Sequence, residues 1–301
     1  MIKIAVDAGH GSNTAGKRTP PLPQDVVIDG KLIIKKGQQF REHIANVGVA
    51  VLLTEELKRC GFEVFKSGWN DDNAYDDADT PLADRQKAIK AVKCDYSISI
   101  HFNAFGDGNS FNSAEGIGIY IHDKNFKDSE KFANTVLKHL TQGSKQKNRG
   151  VTKQALAMCN CSALCVKAAI LPELAFMTNE REAVELMGSK AFWQECAEEI
   201  ARGVCEYTGV KYIPKEQEIP KTTIKPTSSK EDIKWLQSKL NTVLPKIEGY
   251  TPLKVDGDYG PKTRIAVLMY WEQLGWGKTL KDDGTKAGSS TIKALADGRK
   301  K

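Results

Sequence analysis

The sequence predicts an α/β chain: a twisted, mostly parallel sheet flanked by helices, followed by a small, mainly helical C-terminal domain. Three observations carry this expectation. Strand-like and helix-like patterns alternate over the first ~210 residues, the signature of a layered α/β domain. A stretch from Ile213 to Lys230 then holds Pro214, Pro220 and Pro226 among Lys, Thr, Glu and Ser, which buries little and reads as a semi-extended linker. Beyond it, a short tail contains a faint internal repeat. The predicted organisation is one domain over 1–212, a linker over 213–229 and a second domain over 230–301. A length of 301 residues suits one large domain and one small one.

Ile2 to Val6 reads as a buried strand running into a glycine-rich turn. From Glu42 to Arg59, Ile44, Val47, Val51, Leu52 and Leu57 recur at helical spacing. Phe62 to Phe65 is the next strand, and a polar loop spans Asn70 to Asp79. Leu82 to Val92 reads as a helix, Tyr96 to Ile100 as a strand, and Gly116 to Ile121 as another. Ser129 to Leu140 is helical, Ala168 to Leu174 is a short apolar run of strand length, and Ser189 to Tyr207 is helical. In the tail, Asp256-Gly257 and Asp283-Gly284 each precede a Gly-x-x-Thr and a helical pattern. Asp256, Asp258 and Gly260 hint at a calcium loop, but the spacing and terminal Glu of an EF-hand are missing, so the segment reads as a turn.

Composition narrows the function classes. Hydrophobic residues are 40% and charged residues 27%, an ordinary globular balance. The net charge of +6 is spread along the chain with no concentrated basic stripe, so nucleic acid is not an expected partner. No run approaches the ~18 apolar residues of a membrane span, and membrane insertion is not expected. The apolar run Met1 to Val6 ends at Asp7, short of the roughly 7–15 residues of an export-signal core, so synthesis without a signal peptide is expected. Seven cysteines cannot all pair internally, and Cys159, Cys161 and Cys165 lack zinc-ribbon spacing; they read as reduced thiols.

In an open α/β sheet, ligand sites form beyond the carboxyl ends of the strands. Three predicted strands end in candidate groups: Asp7-Ala8-Gly9-His10-Gly11, Ser99-Ile100-His101-Phe102-Asn103-Ala104 and Leu171-Pro172-Glu173-Leu174, while Glu42 opens a helix. Two imidazoles and a carboxylate suit a catalytic zinc ion, which takes three protein ligands and leaves a fourth position for water. A further carboxylate must then relay the proton, and Glu173 can do so. Each residue also has an ordinary reading. A histidine after a strand is commonly a hydrogen-bonded loop residue, and Glu42 favours the helix dipole. Glu173 is harder to dismiss, because a buried carboxylate is costly unless paired. His43, His122 and His139 are weaker candidates; His43 points to another face of its helix than Glu42.

The string Val6-Asp7-Ala8-Gly9-His10-Gly11 resembles the opening of the zinc-dependent N-acetylmuramoyl-L-alanine amidases of the amidase 3 family. Glu42 followed by Asn46, the run Ser99 to Ala104, and the run Pro172 to Asn179 resemble that family's later motifs, in the same order. The resemblance implies that His10, Glu42 and His101 bind Zn2+, that Glu173 is the catalytic carboxylate, and that the substrate is the muramoyl–L-alanine amide of bacterial peptidoglycan. Leu82-Ala83-Asp84-Arg85 resembles the family's Leu-x-x-Arg segment, with Arg85 in a structural role. Leu174-Ala175 departs from the usual Thr-Gly or Leu-Gly, a change of packing beside Glu173. The C-terminal repeat resembles small helical peptidoglycan-binding domains. A phage endolysin or host autolysin, made in the cytoplasm and acting on the wall after release, is the implied setting. Two other readings stay open: a zinc peptidase cutting within the stem peptide, and a non-catalytic wall-binding protein.

Overall fold

The computed structural model describes residues 1–124, 127–142, 144–215, 218–245, 247–277 and 283–300. They divide into two compact units, Met1–Lys215 and Glu216–Lys301. Glu216 and Gln217 of the predicted linker lie outside the described residues.

The first unit is built on a six-stranded sheet. In chain order its strands are β1 (Lys3–Ala8), β4 (Glu63–Ser67), β5 (Tyr96–Asn103), β6 (Ile117–Ile121), β7 (Asn148–Lys153) and β8 (Ala168–Phe176). Across the sheet they lie in the order β4-β1-β5-β8-β6-β7. All neighbours are parallel except β6 and β8, as a mostly parallel sheet requires. A separate antiparallel hairpin pairs β2 (Val26–Ile28) with β3 (Lys31–Ile34).

Strands β1, β5 and β8 are buried on both faces, which is why they read as apolar runs rather than alternating ones. On one face, Ile4, Val6, Ile98, Ile100 and Ile170 join a core shared with helices α1 (Glu42–Arg59), α3 (Lys127–Leu140) and α6 (Lys190–Thr208). On the other, Ala5 and Ala169 pack with Ile89 of α2 (Leu82–Ala91) and Leu164 of the single turn α4 (Cys161–Leu164). Another short turn, α5 (Glu180–Glu182), follows β8 under an Asn179 cap. The hairpin and β7 were not among the expected elements; β7 is a polar edge strand with Val151 its one large aliphatic residue.

Ile213 stays on the first unit, where its carbonyl accepts from Arg59 Nε at 2.8 Å and its N–H donates to Cys60 Sγ at 3.3 Å. Ile224 pairs with Ala287 of the second unit. That unit holds helices α7 (Lys230–Val243), α8 (Pro261–Gln273) and α9 (Ser289–Ala296) around Trp235, Leu236, Tyr270 and Leu295. The repeat is visible in its backbone. Gly257 and Gly284 have φ of 79° and 80°, and Asp256 and Asp283 each accept from the N–H two residues on, at 3.0 and 3.1 Å.

Glu199 of α6 carries a testable pH dependence. Burial, reinforced by Glu195 and Glu198, raises its carboxyl to about 8. A carboxyl raised on folding stabilises the fold while protonated, below its unfolded pKa, and that contribution is lost as pH climbs through about 8. Glu199→Gln is therefore expected to gain on the wild type from pH 5 to pH 9, by roughly 1–2 kcal/mol after allowing for partial exposure. Melting temperatures at the two pH values check it; a constant difference would contradict it.

Candidate metal centre

The ends of β1, β5 and β8 bring the predicted residues together. His10 lies just past β1, His101 lies on β5, and Glu173 on β8 is the register partner of His101. Glu42, the first residue of α1, projects its carboxylate between the two imidazoles. His10 Nε2 stands 3.2 Å from Glu42 Oε2, and His101 Nδ1 stands 3.0 Å from Glu42 Oε1. Among the described residues these three form the one group of His, Cys, Asp and Glu whose donor atoms lie close enough to share an ion, all within 4.8 Å. Ligand atoms around a tetrahedral zinc with bonds of ~2.0–2.1 Å stand roughly 3.3 Å apart, so donor type and spacing both fit that metal.

Close packing enforces this geometry. A Cβ on Gly9 would lie 2.2 Å from the His101 ring, so glycine alone leaves room for the imidazole. His10 takes a left-handed backbone, φ 64°, uncommon for a residue with a side chain. Arg85 helps hold that conformation from the other face of the sheet. Its Nη2 donates to the His10 carbonyl at 2.5 Å and to Asp79 at 3.0 Å. Its Nη1 donates to Asp7 at 3.1 Å and the Ala8 carbonyl at 2.7 Å, and its Nε to the Thr80 carbonyl at 2.9 Å. Asp7, buried in the sheet, also accepts from Ser67 at 2.7 Å and Ser99 at 2.6 Å.

On the α1 side, Asn46 Nδ2 donates to the Gly9 carbonyl at 3.0 Å and to Glu42 at 3.3 Å, and Phe102 N donates to Glu42 Oε1 at 3.1 Å. His43 is an anchor rather than a ligand. Its ring nitrogens meet the Gly9 carbonyl at 2.9 Å and Asp77 at 3.2 Å. Asp77 had no signal of its own within an Asp-rich loop. His122 and His139 sit elsewhere, beside Asp123 and Glu206. The seven thiols are free.

Electrostatics separates the two carboxylates. Burial, the largest influence, pushes Glu42 up, but hydrogen bonds from His10 and His101 outweigh it and hold the carboxyl well below the usual carboxylate range. Burial pushes Glu173 well above that range, and the charge of Glu42 adds to the rise. Glu173 Oε2 is shielded from solvent and has no hydrogen-bond partner among the described residues. An orphaned buried acceptor costs about 1–3 kcal/mol, so the atom is placed for a donor that arrives with a ligand. His10 and His101 keep 18% and 14% side-chain exposure against 2% for Glu42, so the triad opens on its imidazole side. It opens into a cavity of about 380 Å³ lined also by Asp79, Pro81 and Met158.

Comparison with known proteins identifies the fold and the family. The chain is 25% identical over 232 residues to the endolysin of Bacillus phage SPP1, covering 76% of this chain and 74% of that protein. The fold matches an N-acetylmuramoyl-L-alanine amidase from Clostridium difficile 630 with a TM-score of 0.53 at 24% identity, over 70% of this chain and 98% of that one. It also matches the catalytic domain of an amidase of the same description from Bacillus (Paenibacillus) polymyxa, with a TM-score of 0.52 at 23% identity, over 70% and 100% of the two chains. The family profile described as N-acetylmuramoyl-L-alanine amidase, Amidase_3, matches residues 4–206, and the chain belongs to that family.

Proposed function

We propose that this protein is a zinc-dependent peptidoglycan amidase that cleaves the bond between N-acetylmuramic acid and the L-alanine of the stem peptide. The observation that carries the reading is the placement of the Glu173 carboxyl, one oxygen of it shielded and without a partner among the described residues, next to a two-histidine, one-carboxylate donor set. His10, Glu42 and His101 would hold the zinc, which when bound would supply Lewis acidity and lower the pKa of a water.

The chain's own residues do the rest. Asn46, Phe102 N–H and the two histidines keep Glu42 ionised. Arg85, Asn46 and His43 fix the carbonyls of Ala8, Gly9 and His10, and so aim the His10 ring. Glu173 accepts the proton of the attacking water and returns it to the departing L-alanine nitrogen, general base then general acid. Burial and the charge of Glu42 raise the Glu173 carboxyl, which favours the protonated form that the departing nitrogen needs.

The second unit serves as a peptidoglycan-binding module in this reading, raising the effective concentration of the enzyme at an insoluble substrate. No helix among the described residues is long and apolar enough to cross a membrane. The setting is a lytic enzyme made in the cytoplasm and acting on the wall after release.

Mass spectrometry of digested walls tests the bond assignment. Expected products are glycans ending in free lactyl groups and peptides with L-alanine amino termini. Intact muramoyl–alanine linkages beside cut peptides would make the protein a stem-peptide peptidase instead. Intact walls with the protein bound would make it a wall-binding protein only.

A further inference from the structure

The motif Met177-Thr178-Asn179 follows the catalytic strand, yet neither Thr178 nor Asn179 has a part in the chemistry above. Both hold the loop from Phe105 to Gly116. The Thr178 hydroxyl accepts from Phe105 N at 3.0 Å and the Thr178 carbonyl from Asn112 N at 2.8 Å. Asn179 Nδ2 donates to the Asn112 carbonyl at 3.4 Å, and Asn112 Nδ2 donates back to the Phe105 carbonyl at 2.8 Å. The buried Glu182 carboxylate, capped in place by Asn179, accepts from Gly116 N at 3.0 Å and Phe176 N at 2.7 Å. This framework presents Phe105 with 65% of its surface exposed, four residues beyond His101.

Beside it lies a cavity of about 290 Å³ lined by Phe105, Asn112, Glu115, Lys147 and Arg149. Its charge is positive. Glu115 already has a partner in Arg181 at 3.5 Å, whereas the Lys147 ammonium forms no ion pair among the described residues. The Arg149 guanidinium rests over the Phe176 ring, 4.9 Å from its centre, and gives one donor to the Glu115 carbonyl at 3.2 Å. A guanidinium pinned on an aromatic face with donors to spare is suited to a planar carboxylate.

The cavity is also at a useful distance. Arg149 is on β7, packed beside Gly118 of β6, where an added Cβ would lie 3.2 Å from Arg149 Cβ. Gly118 is the register partner of Glu173. Two strand spacings separate the backbones of Arg149 and Glu173, roughly 10 Å. An extended peptide covers that in about three residues.

We infer that this cavity is a specificity subsite for a stem-peptide carboxylate, with Lys147 and Arg149 binding the acid and Phe105 packing against the peptide. The inference rests on the amidase reading. It assigns the anion to an acidic side chain on the second stem residue, within the roughly three residues that span this distance.

The test uses the full-length, zinc-loaded protein and two soluble muramoyl tripeptides. They differ only in an acidic second residue, present as free carboxylate or as carboxamide. Wild type is expected to favour the carboxylate by about tenfold in kcat/KM, expressed in KM, the worth of one charge-assisted hydrogen bond at a partly exposed site. Lys147→Gln is expected to lose part of that preference, and Lys147→Gln with Arg149→Gln all of it. Both should cut the carboxamide substrate within about twofold of wild type, and Lys147→Arg should restore the preference. Because the Lys147 side chain has no hydrogen bond or ion pair among the described residues, the single variant remains informative if the double one misfolds. Equal cleavage of both substrates by wild type, or an unchanged preference in Lys147→Gln, would overturn the subsite. A matched loss on both substrates would reduce the cations to general attraction for a polyanionic wall. Failure of wild type to release an alanine-ended peptide from either substrate would instead sink the amidase reading.

Discussion

Glu173→Gln is expected to lower the rate of stem-peptide release from purified walls by roughly 10²–10⁴-fold, the usual worth of a positioned acid–base group. The substitution keeps the shape of the side chain and removes only its capacity to exchange a proton. Glu173 is not one of the three donors, so zinc content measured on the purified variant should match wild type. The metal-free variant should also depend differently on pH. The Glu173 carboxyl is raised by burial and by Glu42, so it stabilises the metal-free fold while protonated and ceases to do so as pH rises through its folded pKa. The glutamine variant lacks that loss. Near-normal release of stem peptides by a zinc-loaded Glu173→Gln protein would remove Glu173 from the mechanism.

The second large effect is structural. Arg85→Leu is expected to destabilise the first unit by about 3–5 kcal/mol, read as a lower denaturation midpoint. Arg85 and Asp7 each keep 1% side-chain exposure and are ion-paired at 3.1 Å. Removing the guanidinium leaves a buried carboxylate with two serine hydroxyls but no counter-charge. It also frees the carbonyls of Ala8, His10 and Thr80. Zinc affinity should fall as well, because the left-handed backbone of His10 loses its restraint. Arg85→Lys keeps the charge but cannot reproduce a five-bond fork, so it should recover only part of the loss. A midpoint within about 1 kcal/mol of wild type would show that water replaces the guanidinium, contrary to the packing.

Much of this architecture was legible in the sequence. The buried strands β1, β5 and β8 announce themselves as apolar runs because both faces are covered, and the candidate residues His10, His101 and Glu173 lie at or near their carboxyl ends. Helix α1 was readable from its spacing even though Arg41 supplies no side-chain cap. The edge strand β7 was not, because its residues face water and Val151 is its one large aliphatic side chain. The β2–β3 hairpin did carry a local signal: Asp29-Gly30, with φ of 51° and 75°, forms the two-residue turn between short apolar runs. Arg85 could be placed near the site, but its five acceptors are mostly main-chain carbonyls, which no pattern of side chains announces. The partnership of Thr178 and Asn179 with a loop some 70 residues earlier is likewise a product of the β5–β8 pairing, not of local sequence.

The order of strands also sets a timetable for the ribosome. β1 is made first and can pair with β4 early, but its other edge is filled only once β5, ending at Asn103, has emerged. His10 and Glu42 therefore wait for His101, and the trio in turn waits for β8 to deliver Glu173. A nascent chain stalled before Glu173 lacks the carboxylate that completes the candidate centre.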